Sequence, residues 1–311
     1  MKFLIVFLFF LDLFSLEYKN LIVISPKMNI NKIIYIIENV KNNTVLRFRS
    51  GYYDFGYNKI MLNDKEYVAI EGVEGTTFKN FSLQITNGDN IRINHLRVED
   101  GNIRFLSVNN LLLKNFVFEE TNLDIDNSNV MLFRVISQRD NTRKIFIRNS
   151  TVDIGYSTIL DNNSIVIEAV SSNIGLFQNY LGMIKVMASN MRILENKFFY
   201  NSELHIYFIT ALQSMADIIG NKFVNNYGGI LLIGSQAHIE RNFFKNIEYF
   251  VDVEGGSIVS LLKNNIDYNS HIVIHNSNVT KTSSLLMKNL YQLRSLFDKA
   301  RYEIDYDVLK R

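Results

Sequence analysis

The chain has 311 residues, with 33 Lys plus Arg against 31 Asp plus Glu, a formal net charge of +2. That balance excludes the clustered basic excess of a nucleic-acid footprint. The absence of Cys excludes disulfides, thiolate metal sites and a Cys nucleophile, and a hydrophobic content of 47% suffices for a continuous core.

The N-terminus reads as an export signal. Lys2 supplies a positive start, and Phe3 to Leu11 is an unbroken apolar run closed by Asp12. A spanning helix needs about 20 apolar residues, so this run is too short for one. A cleaved signal peptide over residues 1–16 is expected, ahead of an uncleaved anchor or a buried first strand. No later stretch is apolar enough to span a bilayer, so the mature chain is expected to carry no transmembrane segment. The 39 Asn, beside abundant Ile and Lys and one Pro, point to an AT-rich bacterial genome.

Residues 17–80 read as an N-terminal cap with the first coils. Asn29 can cap a helix whose Ile30, Ile33, Ile34, Ile37 and Val40 share one face. A strand is expected at Thr44 to Phe48, then a Gly51-Tyr52-Tyr53 turn. Strands around Ile60–Leu62 and Tyr67–Ile70 follow, closed by Gly72.

Residues 81–289 repeat a short phrase: an aliphatic, two residues, Asn, one residue, then Phe or an aliphatic. The Asn series is Asn94, Asn115, Asn149, Asn173, Asn196, Asn221, Asn242, Asn264 and Asn289. From Asn196 to Asn264 its spacings are 25, 21 and 22 residues. A period in the low twenties with strand-like alternation between the marks indicates a solenoid. Alternating apolar residues precede the Asn, as in Ile91/Ile93, Leu111/Leu113, Ile145/Ile147, Ile165/Ile167, Met191/Ile193 and Ala237/Ile239. The Asn amides are expected to form a ladder from coil to coil, with Phe198, Phe223 and Phe244 stacked inside. The 34-residue gap from Asn115 to Asn149 is too long for one coil, which places a polar loop at Ser137–Lys144. Leu290, Leu293, Leu296, Phe297 and Ala300 recur at helical spacing, so residues 290–311 read as a C-terminal helical cap.

The entry helix, the Gly-x-Tyr turn and the Asn-x-Phe coils resemble the pectate-lyase-like superfamily. That resemblance implies an all-β, single-stranded right-handed parallel β-helix with helical caps at both ends. Enzymes of this kind act on acidic polysaccharides through outward carboxylates, with Arg, Lys or calcium. The Asp-Asp doublet and Gly-His-Gly of polygalacturonase-like hydrolases are absent. So is an Arg-x-x-Pro-x-x-Arg string, since Pro26 is the only proline. No catalytic residue carries over.

One outward strand line merits attention as a site. It runs through Arg104, Asp124, Lys185, His205, Leu231, Asp252 and Val273, with Tyr207, Glu254 and His275 two residues further along their strands. Asp252 and Glu254 at i, i+2 lie roughly 7 Å apart at about 3.3 Å per residue. His275 falls one coil beyond. His205, Tyr207, Asp252, Glu254 and His275 therefore form the candidate ligand-binding set. The plainer account is that outward strand positions are polar because they face water. Arg104 and Asp124 read as an exposed ion pair. His238 and Glu240, in line with Arg192 and Asp217, read as a solvated face. The five His make no His-x-His or His-x3-His pair, so no metal centre is read from spacing. No cofactor is expected, save calcium across Asp252 and Glu254 if an acidic glycan is bound. The functional expectation is an exported, non-catalytic protein, periplasmic or secreted, that binds a glycan or an envelope protein. A polysaccharide lyase or glycoside hydrolase is the alternative.

Overall fold

The computed structural model describes residues 18–137, 145–160, 164–199, 206–267, 270–275 and 277–280. Within them the chain is a right-handed parallel β-solenoid of about 11 turns. Each full coil presents three strands in succession, here called the first, second and third faces. The first face is a sheet of 13 parallel strands running from Asn20–Ile24 to Asn278–Thr280. Asn20–Ile24 already pairs with Thr44–Phe48. The expected signal peptide, Asn289 and the C-terminal cap lie outside the described residues, as does nearly all of the polar loop. Ser137 itself is buried in the strand Ile136–Ser137.

In the first coil a helix, Ile30–Glu38, takes the place of the second and third strands. The Asn29 side chain accepts from the Asn31 N–H at 2.9 Å, as an N-cap should. Ile33 and Ile37 are buried against the open end of the stack. Glu38 Oε1 accepts the Met61 N–H at 3.2 Å, so the helix also covers the edge of the strand Lys59–Asn63.

Inward residues form one core along the whole axis. Phe198, Phe223 and Phe244 sit in register in three successive coils. Their rings stack at 4.7 Å in each step, tilted by only 8° and 5°.

The Asn ladder is real over five coils and differs from the expectation before them. The Asn196 N–H donates to Asn221 Oδ1 at 2.8 Å, the Asn221 N–H to Asn242 Oδ1 at 2.9 Å, and the Asn242 N–H to Asn264 Oδ1 at 3.0 Å. The member before Asn196 is Asn179, whose N–H donates to Asn196 Oδ1 at 2.9 Å, and not Asn173. Asn173 opens the first-face strand Asn173–Phe177, and Asn149 is the left-handed residue of the turn between the third and first faces. Asn94 ends the strand Asp89–Asn94 and donates to Glu71, and Asn115 is the left-handed residue of its turn. Ile145/Ile147 and Ile165/Ile167 likewise belong to the third face, where the two pairs lie beside Leu123/Ile125 and Met183/Ile184. The 34-residue gap vanishes with this correction, because the first-face strands Asn109–Lys114, Asn129–Phe133 and Thr151–Gly155 follow one another at ordinary coil spacing.

A second ladder, unread in the sequence, occupies the corner between the third and first faces. Ser128, Ser150, Ser172, Ser189, Ser214, Ser235 and Ser257 follow one another there. Each hydroxyl accepts a backbone N–H from the coil before it, at 2.9–3.2 Å.

The first face carries a second apolar layer on its outer side. Leu112, Met131, Phe133, Phe177, Leu194 and Ile219 are buried, yet they stand outside the axial core. Solvation is therefore the wrong description of the line with Arg192, Asp217, His238 and Glu240. Glu240 is only 4% exposed. It bonds His238 Nε2 at 3.0 Å and pairs with Arg241 at 3.5 Å. Burial raises the Asp217 carboxyl above its usual range, opposed by His238 and Arg192. Three coils before Asp217 in the same register, burial pushes Asp153 up to about 6, again against the pull of Arg192. The outer positions are polar in sequence but are withdrawn from water by the layer around them.

Candidate functional site

The third face presents its outward residues in two lines. Gln84, Arg104, Asp124, Phe146, Glu168, Lys185, Thr210, Leu231, Asp252 and Val273 make one. The other ends in Met187, Leu212, Ile233 and Glu254. Arg104 pairs with Asp124 at 3.3 Å, as expected, and Arg148 reaches the same carboxylate at 2.9 Å.

The fold brings Asp252, Glu254 and His275 together. One ligand atom from each lies within 4.8 Å of the other two. Asp252 and Glu254 share a face because they are i, i+2 in the strand Phe243–Glu254. His275 arrives from the next coil, where its N–H donates to the Val253 carbonyl at 2.8 Å and continues the ladder of His271–Ile274. The grouping spans two coils, so no local His spacing could have revealed it.

His205 lies outside the described residues. Tyr207 is at the site but by another route than the expected register. Thr210 and Leu212 occupy the outward positions of its strand, Tyr207–Leu212, while Tyr207 pairs with Gly228 and, through it, with Tyr249. Its ring lies over Gly228: a Cβ there would sit 2.1 Å from Tyr207 Cδ1. This lets the Tyr207 hydroxyl cross an entire coil and donate to Asp252 Oδ2 at 2.6 Å. Burial, then the bond to Asp252, pushes the Tyr207 hydroxyl well above its ordinary pKa.

Sequence reasoning missed the aromatic row that runs from this point. Tyr207 and Tyr227 have ring centroids 5.9 Å apart, Tyr227 and Tyr249 5.0 Å, Tyr249 and His271 6.3 Å. The three tyrosines are half-buried and His271 is exposed. The row stands at the bend where the second and third strands fuse into the 12-residue strands Lys222–Ile233 and Phe243–Glu254. The signal was available: Tyr227 and Tyr249 are 22 residues apart, one coil period. Partly exposed rings spaced along the stack offer flat apolar faces, and the carboxylate–imidazole cluster flanks them with polar groups.

No family model and no curated protein matches the chain. Among solved structures, endo-xylogalacturonan hydrolase from Aspergillus tubingensis aligns with a TM-score of 0.52 at 11% identity, over 85% of this chain and 99% of that one. The Streptococcus pneumoniae surface protein and adhesin PfbA aligns at 0.44 and 10% identity, over 83% of this chain and 100% of that one. The A-module of a mannuronan C-5 epimerase from Azotobacter vinelandii aligns at 0.41 and 10% identity, over 77% and 91%. At such identities the likeness concerns the fold alone, a parallel β-helix. Among the described residues no helix is long and apolar enough to cross a membrane.

Proposed function

We propose that the protein is an exported β-helix that binds a glycan without turning it over. The chain of sugar rings lies along the row Tyr207, Tyr227, Tyr249 and His271, against Asp252, Glu254 and His275. The observation that carries this reading is the row itself: ring centroids 5.0–6.3 Å apart along the stack axis, beside hydrogen-bonding groups. Sugar rings present apolar C–H faces to such rings and hydroxyls to the flanking carboxylates. Two bare carboxylates repel an acidic sugar, so a uronate-containing ligand requires a cation across Asp252 and Glu254. An address outside the cytoplasm follows from the apolar run Phe3–Leu11 and from where polymeric glycans are found.

The test is calorimetric titration of the purified protein against neutral and acidic oligosaccharides, with and without calcium. The Tyr227→Ala and Tyr249→Ala variants are run in parallel. Each variant should weaken binding at least about tenfold, in line with aromatic anchors elsewhere. Release of reducing ends or of unsaturated uronates by the wild type would instead place the chain among the lyases or hydrolases. No binding to any member of the panel, or equal binding by both variants, overturns the reading.

A further inference from the structure

Asp252 is 8% exposed, and its two oxygens live in different surroundings. Oδ2 accepts the Tyr207 hydroxyl at 2.6 Å. Oδ1 is buried and has no hydrogen-bond partner among the described residues. A buried carboxylate oxygen with nothing to bond is strongly unfavourable and calls for a counter-ion. Among the described residues, no ion pair joins a Lys or Arg to Asp252 or Glu254. Two neighbouring carboxylates with no described Lys or Arg paired to them, one with an orphaned buried oxygen, share a cluster with an imidazole, all three offering ligand atoms within 4.8 Å of one another.

We infer that Asp252, Glu254 and His275 form a binding site for one divalent transition-metal ion of the zinc type. The donor set decides the class. Imidazole nitrogen suits zinc and its neighbours, whereas calcium takes about 6–8 oxygens and finds two carboxyl groups here. With metal–ligand bonds of about 2.0–2.2 Å, the donors of a tetrahedral zinc site lie about 3.3–3.6 Å apart. Small side-chain rotations close the cluster to that distance, and Glu254 (half-buried) and His275 (exposed) have room to make them. Asp252 is already fixed by Tyr207, which acts as an outer partner that orients a metal-binding carboxylate. Three protein ligands leave a fourth position for water or for an oxygen of a bound molecule. The inference stands on the cluster alone and does not require the tyrosine row to bind a sugar.

The test uses the full chain, stripped with a chelator and titrated with Zn2+ in competition with a chromophoric chelator. Ca2+ is titrated separately. One Zn2+ per chain is expected, bound more tightly than Ca2+. His275→Ala and Asp252→Asn should each weaken Zn2+ binding at least about tenfold, and Tyr207→Phe by about 10-fold, the low end for lost outer partners. Cooperative thermal melting of each variant confirms folding. If Asp252→Asn fails to fold, the exposed His275→Ala decides the matter. Absence of saturable Zn2+ binding, an unchanged affinity in His275→Ala, or tighter binding of Ca2+ than of Zn2+ overturns the inference. Glycan binding by stripped protein that takes up no Zn2+ would sink the metal site and leave the glycan reading standing.

Discussion

Four successive coils turn their first corner on a left-handed residue followed by a ladder residue. Glu195, Arg241 and Lys263 adopt φ of 54°, 53° and 51°, a region that non-glycine residues enter at a cost, and Gly220 takes that place in the coil between. The Asn that follows holds the turn. Asn221 donates from Nδ2 to the Ile193 and Ile219 carbonyls at 2.8 and 3.1 Å, and its Oδ1 accepts from the Asn196 N–H at 2.8 Å. Asn221→Leu keeps the branched shape but leaves buried groups unpaired, at about 1–3 kcal/mol for each. Denaturant unfolding should show a loss of that order or more, and a loss below about 1 kcal/mol would break the ladder account. Asp153 gives a second residue-level expectation. Its carboxyl rises from 3.8 to about 6 on folding, chiefly through burial. The folded state therefore holds the proton more tightly than the unfolded state, so this contribution to stability is complete below pH 4 and is lost as pH rises toward 6. Asp153→Asn should flatten that slope and gain up to about 3 kcal/mol above pH 6, at roughly 1.4 kcal/mol per unit. Urea unfolding at pH 4, 6 and 7.5 checks it, and equal slopes for both proteins would refute it. The sequence made the ladder legible from Asn196 onward because Phe follows two residues later. Upstream, Ile145-Phe146-Ile147-Arg148-Asn149 imitates the phrase at the wrong corner, and the corner proper carries Val135 and Ser157. The serine ladder escaped notice because a small residue ahead of a strand has no pattern of its own.

Among the strands, register decides what meets what. The stacked Phe198, Phe223 and Phe244 were readable because inward positions repeat with the coil. Phe223 is fully buried between its neighbours. Phe223→Ala should cost about 3–5 kcal/mol in denaturant unfolding, as core Phe deletions do, and a value below about 1 kcal/mol would mean that the ring is not enclosed. Asp252, Glu254 and His275 were readable for the same reason, since strands Phe243–Glu254 and His271–Ile274 follow the period closely. Tyr207 was placed on the right side for the wrong reason. The coil between Lys197–Phe199 and Tyr207–Leu212 is longer than its neighbours, so alternation taken from Leu204 slips out of phase. What restores Tyr207 to the site is Gly228, a residue whose value lies in the side chain that it lacks. Gly228→Ala puts a methyl where the Tyr207 ring lies. The ring must leave, and the bond to Asp252 with it. This variant should match Tyr207→Phe in Zn2+ affinity, and an affinity equal to wild type would show that the ring had another route to Asp252.

A solenoid is stabilised by each coil's contact with the next, so its stability is a local property that varies along the axis. The sequence announced this architecture through its period and through the lack of any Pro- or Gly-rich linker, but not the depth of burial at each level. The middle coils are sealed on both sides. Ile218, Ile230 and Val251 are fully buried, and each of their strands pairs with one before and one after. Toward the C-terminal end of the described stack the enclosure thins. Ile258, Ile272 and Ile274 are 48%, 38% and 46% exposed, and among the described residues His271–Ile274 pairs only with the strand of Val251 and Val253. Amide exchange should follow this gradient, with Met215–Ile219 protected by the full unfolding free energy and His271–Ile274 opening in far cheaper local events. Uniform protection along the axis would mean that the stack unfolds only as a whole. The proposed metal bears on the same measurement. An ion held by Asp252 and Glu254 on one coil and His275 on the next is a staple across a pairing at the thin end of the described stack, and it favours only the closed state. Zn2+ should therefore slow exchange at His271–Ile274 and leave Met215–Ile219 as it was, whereas Zn2+ bound elsewhere would not single out that strand.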